Sequence, residues 1–303
     1  MLKQKYLIPI VALIVANALW GLNTVFIKIG TETISPALNV GLRFIVASFI
    51  LLPFAIRSWR PLKRWDLLMY ILSSIFTITL SSLTLNLGLA QAPAFNAAAI
   101  WLLGPIMLLV CSHKVLREKI SFKVVLGISI ALVGSFIVIG KPMQVTSSIN
   151  TLTGNLFLLL SVILNTIAIL ISKPLMKKAS AAQATFLTLF PGTVPVLVYA
   201  LSQLDRPSFD RISSRSWSAF WISILVVVGA NFLFYFALGR KKANTVGVYS
   251  YLDPLVTVIA AWYILAERPA PGFVLGAILI VFGVYFAEIK KATAHIAVHR
   301  HSK

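Results

Sequence analysis

Only eight carboxylates are spread over this chain of 303 residues, four Asp and four Glu, and none falls in a DxxxD or HExxH spacing. There is no GxxxxGK[ST] phosphate loop either, so the residues point away from zinc hydrolysis and from ATP-driven work. The remaining chemistry lies in isolated charges inside apolar sequence. Asp253 stands in the run YSYLDPLVTVIAAW. There a carboxylate can act as counter-charge to an ammonium group or take up a proton in a coupled cycle. It can also cap a helix broken by Pro254, accepting bonds from freed backbone amides. Arg43 and Lys28 are the positive counterparts. They suit attraction of a carboxylate or phosphate and gating at the mouth of a pathway, or else snorkelling to an interface.

Other reactive types read as structural. Glu118 and Glu267 sit in short turns beside Arg117, Lys119 and Arg268, which suits pairing at helix ends better than acid/base work. A single cysteine, Cys111, excludes internal disulfides and thiolate clusters. His295, His299 and His301 have no acidic or thiol partner nearby and fit a frayed tail better than a metal site. No cofactor or metal is expected.

These charges need elements to hold them, and composition names the solvent. Residues with hydrophobic side chains make up 59% of the chain and charged ones 12%, with a mean hydropathy of +0.92. Soluble domains run at about 45–50% apolar and about 25% charged. A bilayer core demands about 20 apolar residues per helix. Apolar runs between charge clusters predict ten spans, at about 7–29, 36–56, 66–90, 94–113, 121–139, 152–172, 180–203, 217–239, 243–265 and 270–288. The first follows Lys3 and Lys5 but is too long for a signal peptide and lacks a small-residue cleavage site.

Charge sets the orientation. With an even number of spans both termini share a side, and most of the 27 Lys and Arg residues lie in the loops of that side. Lys28, Lys141, Arg206, Arg211, Arg215 and Arg268 fall on the other. The positive-inside rule therefore places both ends in the cytoplasm, with the protein multi-pass in the cell membrane. Because the cations lie in short separated loops rather than one stripe, the net charge of +19 is mostly topology, and nucleic acid is not an expected partner. The partners implied are the lipid bilayer and a small-molecule solute. No protein partner is required.

The spans also repeat. Pro105, Glu118, Leu126-Gly127 and Gly134 recur 149 positions later as Pro254, Glu267, Leu275-Gly276 and Gly283. Five spans per copy is an odd number, so the second copy enters the membrane from the opposite face. The expected fold is an all-α polytopic membrane protein, ten transmembrane helices as two inverted five-helix repeats, at 1–144 and 145–290, with a tail at 291–303. Such halves supply two gates around one midplane site.

Polar stripes nominate its lining. Asn17, Gly21, Thr24 and Lys28 fall within about a 60° arc of the first helix, and Ser161, Asn165, Ala168 and Ser172 repeat the pattern in the sixth. Close helix packing is the competing reading. Ser82 and Asn86 correspond through the offset to Asn231 and Tyr235, and such symmetric polarity favours a shared cavity. The stripe Ser74, Thr77, Ser81 and Thr84 has apolar counterparts and reads as packing. Where the first copy has Trp101 and Gly104, the second has Ser250 and Asp253, with Asp253 about 15 Å along its helix, near the midplane. Gly127, Gly134, Gly276 and Gly283, seven apart within each copy, read as a packing face. Pro174, Pro191 and Pro195 are expected to bend the sixth and seventh helices.

These residues together resemble the ten-helix, EamA-like branch of the drug/metabolite transporter superfamily. The resemblance rests on Trp20-Gly21 with Lys28, Ser35-Pro36 followed by Arg43-Phe44, and Pro105, Glu118, Gly127 and Gly134. It continues in Leu252-Asp253-Pro254, Glu267, Gly276 and Gly283. One departure is Val162-Ile163 in the sixth helix, where the family often has a Trp-Ala pair. The resemblance implies export of small organic solutes, often amino acids or other metabolites, through a cavity lined by the first, third, fourth, sixth, eighth and ninth helices. Trp20 joins the cavity candidates on this ground. The function expected is secondary transport, not enzymatic, by alternating access. The alternative is an integral-membrane enzyme acting on lipid-linked substrates.

Overall fold

The structure, a computed structural model, describes residues 2–92, 94–139, 149–203, 212–266, 269 and 271–298. Among them the secondary structure is helical throughout: α1 (Leu2–Gly30), α2 (Pro36–Arg57), α3 (Arg64–Gln91), α4 in two pieces (Ala94–Trp101 and Leu103–Leu116) and α5 (Phe122–Ile139). The second half runs through α6 (Ile149–Ser172, continued by a 3-10 stretch Lys173–Lys177), α7 (Ala181–Ser202), α8 (Ser214–Leu238), α9 in two pieces (Ala243–Tyr249 and Leu252–Leu265) and α10 (Phe273–Val298). Eight of the ten are long and apolar enough to cross a membrane. α5 and α10 hold shorter apolar stretches, Phe122–Val138 and Phe273–Ala287. Large apolar side chains such as Phe54, Leu225 and Val274 point outward, more than half exposed, an arrangement that suits lipid rather than water. We call the side where α1 begins and α10 ends the terminal face.

Local sequence explains where helices begin. Ser35 accepts a bond from the Leu38 amide and is followed by Pro36 at the first helical position, and Ser180 and Ser213 cap α7 and α8 in the same way. Pro174 marks the change from α to 3-10 geometry at the end of α6.

The offset of 149 residues reappears in the backbone. Among the described residues, two that are not glycine have positive φ, Arg117 at 53° and Ala266 at 57°. Each ends a helix in the left-handed conformation with its amide bonded to an equivalent carbonyl, Ser112 or Ala261. The breaks in α4 and α9 are equivalent too. A proline clashes with the carbonyl four residues before it, here Trp101 for Pro105 and Ser250 for Pro254. At both places the chain tightens into three-residue bonds, Leu102 N to Ala99 O and Asp253 N to Ser250 O. The Tyr251 hydroxyl then reaches 3.4 Å across to the carbonyl of Leu102, its own counterpart.

Helix pairing completes the inverted repeat. A side chain at Gly127 would strike the Gly283 carbonyl, and one at Gly134 the Gly276 carbonyl. Each glycine thus meets the non-equivalent glycine of the other copy, which is what a two-fold axis across an antiparallel pair produces. The glycine face expected from spacing is the α5–α10 seam. α2 packs on α7, α1 packs on α8 and α9, and α6 packs on α3 and α4. The first helix of each copy therefore leans on the third and fourth of the other, leaving two walls with a gap between them.

Candidate functional site

The gap is a cavity of about 180 Å³. One wall is α1, α8 and α9, the other α3, α4 and α6, with Arg43 and Phe44 of α2 closing one side. The six expected helices all contribute, and α2 is an addition. Toward the face opposite the termini the lining reaches Ile27, close to the end of α1, and Ala97, near the start of α4. Toward the terminal face it stops at Tyr235 and Ile169. Beyond that floor lies a continuous apolar plug that includes Leu13, Leu108, Leu175, Leu238, Val246 and Val248.

Eleven of the expected site residues line this cavity: Asn17, Trp20, Thr24, Arg43, Ser82, Trp101, Asn165, Asn231, Tyr235, Ser250 and Asp253. Three do not. Asn86 is buried, its amide group held by the Ser82 carbonyl at 2.8 Å. Ser161 is buried against α3, where Ser81 donates to its backbone carbonyl at 2.9 Å, so its polarity serves helix packing. Lys28 lies outside the lining, near the end of α1. Glu267, Lys141 and the tail histidines lie outside the residues whose side chains are described.

Asp253 sits in the first turn of the second piece of α9. Its Oδ1 accepts from the Thr257 hydroxyl at 3.0 Å, and that hydroxyl also lies 3.2 Å from the Gly21 carbonyl. The capping role is not what the structure gives it, since the first amides of this piece receive no side-chain cap. Gly21 explains how α1 comes so close. A Cβ there would lie 2.6 Å from the Asp253 carbonyl and 2.9 Å from Val256, so only glycine admits this approach.

Arg43 is 2% exposed. Its Nη1 donates to Ser223 at 3.3 Å, Ser223 donates to Asn23 at 2.6 Å, and the guanidinium lies 4.9 Å from the Phe44 ring centre. Among the described residues Nε has no partner, and neither do the Trp101 indole N–H and the Asn17 amide oxygen. All three belong to cavity-lining residues. Arg43 and Asp253 share the cavity yet make no ion pair with each other.

Sequence reasoning missed Thr77, Ser81 and Asn23 as lining, whereas Thr257 shares a helix face with Ser250 and Asp253 and lines the cavity with them. Residues Ile75–Ser82 of α3 form a π-helical stretch, and the Ser82 side-chain hydroxyl donates to the carbonyl of Thr77 at 3.0 Å. Thr77, Ser81, Leu85, Ile78 and Ser82 form one contiguous arc of about 140° at about 100° per residue, so the polar stripe set aside as packing borders the same cavity. The packing role foreseen for Ser74 holds: its hydroxyl accepts from the Gly192 amide at 2.6 Å, beside Pro191 in α7.

Relatives agree with this architecture. A protein of known crystal structure superposes with a TM-score of 0.71 over 94% of this chain and 96% of its own, at 17% identity, a likeness of fold. The chain is 28% identical to the uncharacterized transporter YetK of Bacillus subtilis, covering 96% of this chain and 89% of that one. It is 25% identical to a protein of Salmonella typhimurium named probable amino-acid metabolite efflux pump, covering 88% and 90%. The profile of the EamA-like transporter family matches residues 7–140 and again 152–288, so nearly every helix described above lies inside a match. The chain belongs to the EamA-like transporter family.

Proposed function

We propose that this protein is a secondary transporter of small zwitterionic solutes of the amino-acid kind, working by alternating access and directed outward. The observation that carries the reading is the separation of charge inside one cavity: a buried guanidinium on α2 and a carboxylate on α9, each engaged with a hydroxyl and not with the other. A solute carrying both an ammonium and a carboxylate would answer both. The size agrees, since about 180 Å³ falls below the roughly 300 Å³ at which drug-sized pockets begin. The name of the Salmonella relative points the same way.

The same reading puts both termini in the cytoplasm and the protein in the cell membrane, with the duplicated halves at 1–144 and 145–290 and a tail from 291 to 303. The family and the scattered carboxylates speak against the enzyme alternative.

Counterflow in proteoliposomes tests it. A labelled amino acid should exchange without chemical change, and analogues lacking the amine or the carboxylate should compete at least about tenfold less well, the loss of one charge-assisted bond. Equal competition by all three would reject zwitterion recognition, and a chemically altered product would restore the enzyme reading.

A further inference from the structure

The turn between α8 and α9 is gripped at both ends by charges from the facing wall of the cavity. Lys173, at the end of α6, directs its ammonium to the carbonyl oxygens of Leu238 and Lys241. Leu238 closes α8, where the last carbonyls have no partner within the helix. Glu118, just after α4, places Oε1 2.8 Å from the Ala243 amide and Oε2 3.1 Å from the Asn244 amide. These are the first two amides of α9, equally without intrahelical partners. Each charge has the sign its helix end prefers, positive at the C-terminus of α8 and negative at the N-terminus of α9.

Glu118 is presented rigidly. Arg117 before it takes the left-handed conformation, the Glu118 amide bonds the Ser112 carbonyl, and the His113 ring lies 2.9 Å from the Glu118 carbonyl. Gly247, one turn into α9, packs against Leu108 and Pro105 of α4, so the grip lies over the place where the two walls touch. Near the opposite face the lining combines the apolar Ile27, Leu85 and Ala97 with Arg43.

We propose that Glu118 and Lys173 form a two-armed clamp that holds the terminal face shut and must release the α8–α9 turn for solute to pass. This rests on the transport reading, because a gate has meaning only in a protein that alternates. Release separates a carboxylate and an ammonium from fixed backbone partners at the membrane surface, where water can take them up, so the clamp is strong yet reversible. Loss of a tie that merely stabilised the fold would lower stability without changing which state is populated.

The test uses the full chain with Cys111→Ala and spin labels at Lys114→Cys and Arg240→Cys, two exposed positions on opposite sides of the grip. Pulsed dipolar spectroscopy in proteoliposomes should give mainly one short distance. Glu118→Gln and Lys173→Met should each raise the ratio of long to short distance by at least about tenfold, and Lys173→Arg should leave it near the parent value. Unchanged ratios in variants that keep the parent's unfolding midpoint, or the same ratio for Lys173→Met and Lys173→Arg, would overturn the clamp. Should Glu118→Gln fail to fold, Ala243→Pro removes one gripped amide at a first helical position that accepts proline, and the same rise is expected. Amino-acid counterflow by the parent separates the two readings. Absent exchange with a shifting ratio fails the transport reading, and exchange with an immobile ratio fails the clamp.

Discussion

At the break of α4 the cavity meets the indole of Trp101, with Gly104 three residues on. At the break of α9 it meets Ser250 and Asp253. The backbones correspond down to the proline that causes each break and the left-handed residue that ends each helix. Duplication has preserved what bends the chain and changed what the bend displays. Gly104 looks toward Val162 of α6 and is absent from the lining, whereas Asp253 sets a carboxylate into it. The two breaks are thus alike in backbone and one-sided in charge.

The most severe test of that one-sidedness removes the charge. Asp253→Asn should lower counterflow of an ammonium-bearing solute at least about tenfold and flatten its dependence on pH, since a buried charged partner is worth about 1.5–3 kcal/mol. Folding, read by the thermal midpoint in detergent, should be little changed. Wild-type rates across pH would remove Asp253 from the site.

A second pair of changes asks whether the seam is as symmetric as the site is not. Gly127→Ala and Gly276→Ala each place a methyl about 2.6 Å from a facing carbonyl. Both should destabilise, by about 1–3 kcal/mol and by similar amounts, in thermal unfolding. A large difference between them would break the two-fold relation.

Smaller effects lie at the breaks themselves. Tyr251→Phe deletes a bond that ties the two breaks together and should cost about 1 kcal/mol or less, with exchange slowed more than binding. Arg117→Gly and Ala266→Gly should both stabilise, by up to about 1 kcal/mol, because glycine adopts the left-handed conformation without the strain of a side chain. Destabilisation at either would show that the side chain does more than end a helix.

Legibility followed the range of the interaction. The helices, the repeat and the glycine seam were readable because lipid enforces apolar length and because glycine spacing is local. Asp253 and Arg43 were readable as costly charges in apolar runs. Their surroundings were not: Arg43 leans on Ser223, 180 residues away, and no periodicity announces that bond. On α3 the pattern misled for a definite reason. Thr77 and Ser81 read as packing because their counterparts in the other copy are apolar, and no local pattern announces the π-helical turn that holds them or the bond from Thr79 to the Gly192 carbonyl at 2.6 Å. Asn86 and Ser161 show the converse error, since buried polarity in a membrane helix satisfies a neighbour as often as it faces a solute.

The crossed contacts of the seam carry a consequence for assembly. Because Gly127 meets Gly283 and Gly134 meets Gly276, everything the seam requires is present in one five-helix unit, provided that unit enters the bilayer in both orientations. Two polypeptides, cut between α5 and α6 and synthesised apart, therefore carry the surfaces needed to find each other.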